Sequence, residues 1–244
     1  MSRLPWLDEN APPQALPPAE AASAEPNGLL AIGGSLEPDW LLYAYRHGAF
    51  PWYNPGEPIL WWSPDPRAVL LPDALKVSRS LRKSIRRQHY RISADEDFTA
   101  VVTACAQPRD AAGGTWITQQ MLAAYCRLHS LGHAHSFEAR RGGELVGGLY
   151  GVAIGRVFFG ESMFSRAVDA SKVAFAAAVD FLRSRHFALI DCQVPSAHLT
   201  SLGATPMRRT AFVQLLERHC ETLQPSSWHE DFEAAAPAPA GLQA

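Results

Sequence analysis

The strongest constraint in this chain is a helix with no polar face, followed at once by a short apolar strand. From Ser171 to Arg185, residues Val173, Phe175, Ala178, Val179 and Leu182 make nearly every side apolar, so this helix must be buried. The next stretch, Leu189-Ile190-Asp191-Cys192-Gln193-Val194, reads as a buried strand ending in polar groups, because Leu, Ile and Val suit a pleated, half-buried setting. Arg156 to Ser165 reads as a strand before the helix. The three together are a strand–helix–strand unit, for which a right-handed crossover is expected. Side chains alternate along a strand, so Asp191 and Gln193 are expected on one face and Cys192 on the other. Two polar groups on an apolar strand need partners or a task, since unpaired burial costs about 1–3 kcal/mol each. A hydrogen-bonded turn and a catalytic pair both meet that demand.

More strands lie upstream. Ser136–Arg140 and Glu144–Ile154, joined by Gly142-Gly143, predict a hairpin. Gly147-Gly148 inside the second strand predicts a bulge or the close approach of a ligand to the backbone. Thr118 is a candidate N-cap for a helix over 119–131, with Met121, Tyr125 and Leu128 inward. Leu36–His47 also reads as a helix, with Leu41, Leu42 and Tyr45 on one side, and a shorter one is expected over 209–219. Gly33-Gly34 fits neither GxGxxG nor GxxxxGK[ST] and is expected to be a turn. His129, His133 and His135 have no nearby acidic or Cys ligand, so no metal site is expected.

Two segments point to a nucleic acid. Residues 49–67 are dense in Pro and aromatic residues. Proline stiffens the backbone, and aromatic faces on a stiff loop suit either stacking on unpaired bases or packing between domains. Residues 74–91 contain seven Lys or Arg and no acid. As a helix, they carry Val77, Leu81 and Ile85 on one stripe and gather Arg79, Arg82, Lys83, Arg86 and Arg87 on another face. Like charges so placed repel, and in a chain of net charge −2 such a face fits a phosphate backbone.

At 244 residues, 47% hydrophobic and 19% charged, the chain is long enough for one large domain or two modest ones. No apolar run reaches the roughly 18 residues of a membrane span, and no secretory signal is expected. The four dispersed cysteines Cys105, Cys126, Cys192 and Cys220 fit reduced thiols of a cytoplasmic protein. A monomer is expected, as no coiled-coil pattern is present.

A resemblance joins these segments. Glu25–Gly34, Phe50-Pro-Trp through Trp61-Trp-Ser-Pro-Asp-Pro-Arg67, Gly114-Thr-Trp-Ile117, Leu128-His through His135-Ser, Gly160-Glu-Ser-Met-Phe-Ser165 and Asp191-Cys-Gln-Val194 resemble the leucyl/phenylalanyl-tRNA–protein transferases. The resemblance runs through most of residues 25–215. Residues 1–24, rich in Pro, Ala and Glu without periodicity, are expected to be a loose arm, and the Ala- and Pro-rich tail over 233–244 is expected to be flexible; the resemblance covers neither. It implies a mixed α/β (α+β) fold with a small N-terminal domain over 25–67 and a GNAT-like acyltransferase domain over 68–232 with a mostly antiparallel mixed sheet. The acetyl-CoA pyrophosphate loop of ordinary GNAT enzymes is missing, as Ser165–Ser171 stands in its place, and no cofactor is expected.

The implied reaction moves Leu, Phe or, less often, Met from aminoacyl-tRNA to the α-amine of proteins beginning with Arg or Lys, marking them for N-degron degradation. The resemblance puts Asp191 and Gln193 at the reacting centre, with Glu161 toward the cationic acceptor or the donor's α-ammonium. It offers Leu149, Phe158, Met163 and Ile190 for the donor side chain, Trp52 and Trp116 for the terminal adenosine or aminoacyl group, and Ser165 as a further substrate contact. Leu149 replaces an expected Met and Ser196 an expected Asn. The alternatives are a tRNA-dependent transferase acting on a cell-wall precursor and a non-catalytic tRNA-binding module.

Overall fold

The computed structural model of the chain describes residues 4–87, 89–107, 116–221 and 228–235. A four-stranded sheet opens the fold: β1 (Trp6–Leu7), β2 (Leu29–Gly33), β3 (Phe50–Pro51) and β4 (Leu60–Trp62), in the order β1-β2-β4-β3. Helix α1 (Pro38–Arg46) lies between β2 and β3, with Pro38 at its first position, where a missing N–H costs nothing. A seven-stranded sheet follows, in the order β11-β5-β10-β9-β8-β7-β6. Its strands are β5 (Arg67–Leu70), β6 (Arg91–Ala94), β7 (Ala134–Arg141), β8 (Glu144–Ile154), β9 (Val157–Ser165), β10 (Leu189–Gln193) and β11 (Thr205–Met207). Around it lie α2 (Arg79–Arg86), α3 (Phe98–Cys105), α4 (Gln119–Ser130), α5 (Ala170–Ser184), α6 (Ala197–Ser201), α7 (Arg209–His219) and α8 (Trp228–Ala235). Within the larger sheet, β9 and β10 pair in parallel, and all the other described pairs are antiparallel. Helix α5 joins that parallel pair, as the strand–helix–strand pattern predicts.

Strand alternation sorts the apolar residues onto two faces. Phe159 and Tyr150 join one core with α3, α4, α1 and the smaller sheet, through Val101, Met121, Tyr45 and Trp61. Phe158, Leu149 and Ile190 join the other, beneath α5 and α8. The first core therefore runs unbroken from the N-terminal sheet into the helices of the C-terminal part.

Two sequence expectations change, and a third is met in one of its two forms. The stretch expected to be a loose arm is packed from its first described residues: β1 runs parallel to β2, and Leu7, Leu16 and Ala19 are buried. Prolines fix φ and so lower the entropy lost on ordering, and Trp40 Nε1 donates to Ala11 O at 3.2 Å. The basic segment is helical only over Arg79–Arg86. Ser78 caps it by accepting from Leu81 N, and Arg91 already belongs to the edge strand β6. The bulge expected at the glycine pair of β8 is present, since Ala139 and Arg140 of β7 face Gly147 and Leu145 and leave Val146 extra, and the close neighbour is the protein's own helix rather than a ligand. A Cβ on Gly147 would lie 2.7 Å from Ala170 Cβ and 2.8 Å from Ala170 C, so the start of α5 rests on bare backbone. Residues 1–3 of the arm, Gly113 to Thr115, and residues 236–244 of the tail lie outside the described residues.

Two of the three histidines have other partners. His135 Nδ1 is 2.7 Å from Asp95 Oδ2, and its ring stacks on Trp228 at 3.7 Å. His129 lies flat on Phe98 at 4.3 Å. Among the described residues no group of three or more His, Cys, Asp or Glu gathers as metal ligands. Nor is any described helix long and apolar enough to cross a membrane.

The Gly147 contact predicts a stability loss. Gly147→Ala must displace backbone at the start of α5, so it should lower the unfolding free energy by about 1–3 kcal/mol, read from urea midpoints. Gly160→Ala is the control, because its Cβ would meet only Asp191 O at an ordinary 3.4 Å.

Candidate active site

The site forms where the parallel pair of the larger sheet stops pairing. The β9–β10 register ends at Asp191 opposite Phe159, and just beyond that point each strand carries a bulge. In β9, Gly160 and Ser162 face consecutive residues of β8, which leaves Glu161 as the extra residue. In β10, Asp191 and Gln193 face consecutive residues of β5, which leaves Cys192 extra. Bulges bend a strand and re-aim its side chains. Gln193 is also left-handed, at φ 61, an uncommon conformation for a residue with a Cβ. The two re-aimed side chains meet: Gln193 Nε2 donates to Glu161 Oε1 at 2.8 Å.

The bulge corrects the simple alternation expected for Asp191 and Gln193. Asp191 is fully buried and accepts two bonds from Arg67, from Nε at 2.8 Å and from NH2 at 2.7 Å. Its Oδ1 also accepts the Gln193 backbone N–H at 2.9 Å. Asp191 therefore has no path to a substrate and acts on Gln193 through the backbone. Gln193 is half-buried and reaches the cavity.

Glu161 is held by two phenols as well as by Gln193. Tyr45 donates to Oε1 at 2.8 Å and Tyr125 to Oε2 at 2.6 Å. Burial is the largest influence on this carboxyl and pushes it up to about 7. The bonds from Tyr125 and Tyr45 oppose that shift, the nearby Asp191 charge adds to it, and Gln193 opposes it again. Burial first, and then the Glu161 charge, hold Tyr45, Tyr125 and Tyr150 well above the usual phenol range. Burial and then the Asp191 charge push the Cys192 thiol up to about 12. Cys192 is thus a neutral thiol near pH 7, unsuited to attack an ester.

Glu161, Gln193 and Val194 form one wall of a cavity of about 180 Å³, faced by Trp52, Trp116 and Phe50. A neighbouring hollow of about 240 Å³ shares Phe50, Trp52 and Val194. Trp52 is 44% exposed and is anchored through its backbone, whose carbonyl accepts from Trp62 Nε1 at 2.7 Å. The residues selected from sequence thus divide. Glu161, Gln193, Trp52 and Trp116 meet at the cavity. Leu149, Phe158 and Ile190 are corrected to core, because alternation turns them to the face that α5 covers. Met163 is half-buried against that same core. Ser165 turns into the entry to α5, donating to Ala167 O at 2.9 Å and accepting from Ser171 N at 3.3 Å. Arg79, Arg82, Lys83, Arg86 and Arg87 are all exposed.

Sequence reading misses Arg67, Tyr45 and Tyr125. Arg67 has a signal, since a cation opening the apolar run Arg67-Ala68-Val69-Leu70 needs a buried anion. The tyrosines pass for members of an apolar stripe, and their hydroxyls, which also need partners when buried, are the overlooked clue.

Comparison with known proteins gives the family. Residues 69–217 match the family described as leucyl/phenylalanyl-tRNA protein transferase, and residues 34–65 match its N-terminal domain. A leucyl/phenylalanyl-tRNA–protein transferase of Pseudomonas entomophila (strain L48) is 59% identical over 225 residues, covering 92% of this chain and 99% of the relative. The chain belongs to the leucyl/phenylalanyl-tRNA–protein transferase family. Another transferase of that name, from Azoarcus sp. (strain BH72), is 54% identical over 226 residues, covering 92% of this chain and 95% of the relative. Two solved structures overlay loosely. One is L-PGS from Bacillus licheniformis, with TM-score 0.39 and 10% identity over 68% of this chain and 53% of that one. The other is a GCN5-related N-acetyltransferase from Kribbella flavida, with TM-score 0.37 and 14% identity over 70% and 61%. Overlays this loose carry no argument about the site. Of the two departures from the family pattern, Leu149 is a core residue, while Ser196 caps α6 by accepting from Leu199 N at 3.2 Å.

The raised Glu161 carboxyl predicts how stability changes with pH. Its folded value of about 7 exceeds the ordinary 4.5, so between those values the folded chain binds more protons than the unfolded one. The unfolding free energy should therefore fall as pH rises from 4.5 to 7, by about 3 kcal/mol from this group. Glu161→Gln should remove that part of the slope in urea titrations across the window.

Proposed function

We propose that this chain transfers leucine, phenylalanine and, less often, methionine from aminoacyl-tRNA to the α-amine of proteins beginning with Arg or Lys. The observation that carries this reading is the Gln193–Glu161 contact at 2.8 Å in the wall of a cavity that Phe50, Trp52 and Trp116 also line. In the reaction, the amine nitrogen bonds to the ester carbon, the bond to the ribose oxygen breaks, and one proton passes from nitrogen to oxygen. An α-amine has a pKa near 7.7–8, so a fair fraction is already neutral at pH 7. Holding amine and ester together accounts for much of the rate, since effective molarities can lower a barrier by about 7–11 kcal/mol.

Gln193 gives its N–H to Glu161, so its carbonyl Oε1 is the end that accepts a hydrogen bond from the incoming amine. The ionised form of Glu161 attracts that amine and takes its proton. Asp191 fixes Gln193 through the backbone bond and does not itself take the proton. Trp52 and Trp116 flank the terminal adenosine or the aminoacyl group, as flat apolar walls suit. None of the four residues suggested for the donor side chain lines this cavity, whose apolar walls are Phe50, Trp52, Trp116 and Val194. The exposed cations of α2 lie along tRNA phosphates.

The deciding assay uses labelled leucyl-tRNA with a peptide starting with Arg and the same peptide acetylated at its N-terminus. The free peptide takes up label and the acetylated one does not; label on both, or on neither, overturns the reading. Gln193→Ala should lower transfer by about 10²-fold, with tRNA binding intact.

The basic helix has its own test. Replacing Arg79, Arg82, Lys83 and Arg86 together by Ala should raise KM for leucyl-tRNA while leaving kcat unchanged. The slope of log affinity against log salt should fall by about 0.7–0.9 for each phosphate that is no longer neutralised.

A further inference from the structure

Three oxygen–oxygen contacts close a ring behind the cavity wall. Tyr45 Oη and Tyr125 Oη are 2.7 Å apart, Tyr125 Oη and Glu161 Oε2 are 2.6 Å apart, and Tyr45 Oη and Glu161 Oε1 are 2.8 Å apart. Each contact is short enough to hold one proton. Two phenols bring two protons, and an ionised carboxylate brings none. With Glu161 ionised, both phenols point at the carboxylate, and the contact between the two phenol oxygens holds lone pairs alone. With Glu161 neutral, three protons fill three contacts: Oε2–H to Tyr125, Tyr125 to Tyr45, and Tyr45 to Oε1, or the reverse sense. Gln193 Nε2 donates to Oε1 in either state.

We propose that Tyr45, Tyr125 and Glu161 act as one proton-holding ring, in which the two tyrosines are positioning residues that let Glu161 take the proton of the attacking amine and return it to the departing ribose oxygen. The proposal rests on the reading of this cavity as the aminoacyl-transfer site. The step balances without any co-reactant. The nitrogen–carbon bond forms, the carbon–oxygen bond breaks, the amine proton goes to the Glu161 carboxylate, and the same count of one proton goes from the ring to the ribose oxygen. A concerted shift of one proton across each of the three contacts moves the carboxyl proton from one oxygen to the other while Glu161 stays still. The proton can then arrive at one oxygen and leave from the other.

The groups around the ring favour this cycle. Tyr45 comes from α1, Tyr125 from α4 and Glu161 from β9. Tyr150 of β8 stands edge-on to Tyr125 at 5.3 Å, and its buried hydroxyl has no partner among the described residues. From β10, Asp191 is matched by Arg67 of β5 at 2.7 Å, and the neighbouring Cys192 is a neutral thiol. The carboxyl's value of about 7 keeps both of its forms populated near neutral pH.

The test uses Tyr45→Phe, Tyr125→Phe and the double variant in the full chain, since phenylalanine keeps the ring packing and removes one proton and one oxygen. Infrared titration follows the neutral carboxyl band of Glu161, assigned by its loss in Glu161→Gln, and needs no substrate. Each phenol bond alone holds the carboxyl down, while the contact between the two phenols favours its neutral form, so the midpoint of each single variant should rise by less than the loss of an independent donor would give. The double variant should lie about one pH unit above the sum of the two single shifts, because the contact between the phenols is lost only once. The acid limb of kcat for leucyl transfer, at saturating leucyl-tRNA, should move with the midpoint while KM holds. Single shifts that add to the double shift, as independent anion donors require, overturn the ring, and so does an unchanged midpoint in the double variant. If one variant fails to fold, an Ala substitution at the same position completes the comparison. If the wild type titrates as stated but labels no peptide, the catalytic role falls with the transfer reading while the ring itself stands. Normal transfer with additive shifts overturns the ring alone.

Discussion

A guanidinium and a carboxylate, both sealed from water, hold the functional end of the larger sheet together. Arg67 and Asp191 have side chains 1% and 0% exposed, and burying two ions costs several kcal/mol each unless close geometry and further hydrogen bonds offset it. Both are present here. Arg67 gives two bonds to Asp191 and a third to Gly48 O at 3.1 Å. Its plane lies between the rings of Phe50 and Phe212, 4.7 and 4.8 Å from their centroids. Asp191 keeps one further bond for the Gln193 N–H. The pair thus ties β5 and β10 to the turn after α1 and to α7. It also stabilises the left-handed backbone that turns Gln193 into the cavity. Taking away one ion alone would strand the other, a loss of about 3–5 kcal/mol.

From that anchor the polarity of the site follows. Parallel strands that stop pairing leave backbone groups and side chains without their usual neighbours, and here the gap is filled by Glu161 and Gln193. Glu161 lies on the sheet face that carries the larger core, so its surroundings are apolar except for the phenols aimed at it. A carboxyl in such a place is neither a surface acid nor a structural ion. It is neutral or charged according to small changes in its neighbours, as perturbed carboxyls in clefts are.

Much of this is legible in the sequence. The buried helix and its two strands, the hairpin, the Thr118 cap and the helix over 209–219 follow from periodicity and capping alone, and α7 matches the expected range at both ends. Glu161, Gln193, Trp52 and Trp116 stand out by their motifs, and the fold brings them together. What fails does so for physical reasons. Alternation cannot foresee two bulges, so Asp191 and Gln193 read as equals when one is an anchor and the other reaches the cavity. Leu149, Phe158 and Ile190 are apolar residues whose types suit a pocket and a core equally, and they lie in the core. Proline-rich composition reads as looseness, whereas the same prolines make ordering of the first residues cheap. Arg67 and the two tyrosines lie far in sequence from the groups they serve, and no local pattern joins them.

The N-terminal sheet has no core of its own. Leu30, Trp40, Tyr45 and Trp61 share one buried cluster with Val101, Met121, Leu128 and Phe159, which the ribosome makes later. The nascent chain therefore cannot finish its first half before its second has appeared, unlike chains whose domains fold one after another during synthesis. Tyr45 reaches Glu161 only when both halves have closed on each other. An unfinished or clipped chain consequently lacks two things at once, the closed hydrophobic interior and the phenol that reaches Glu161 from the other half.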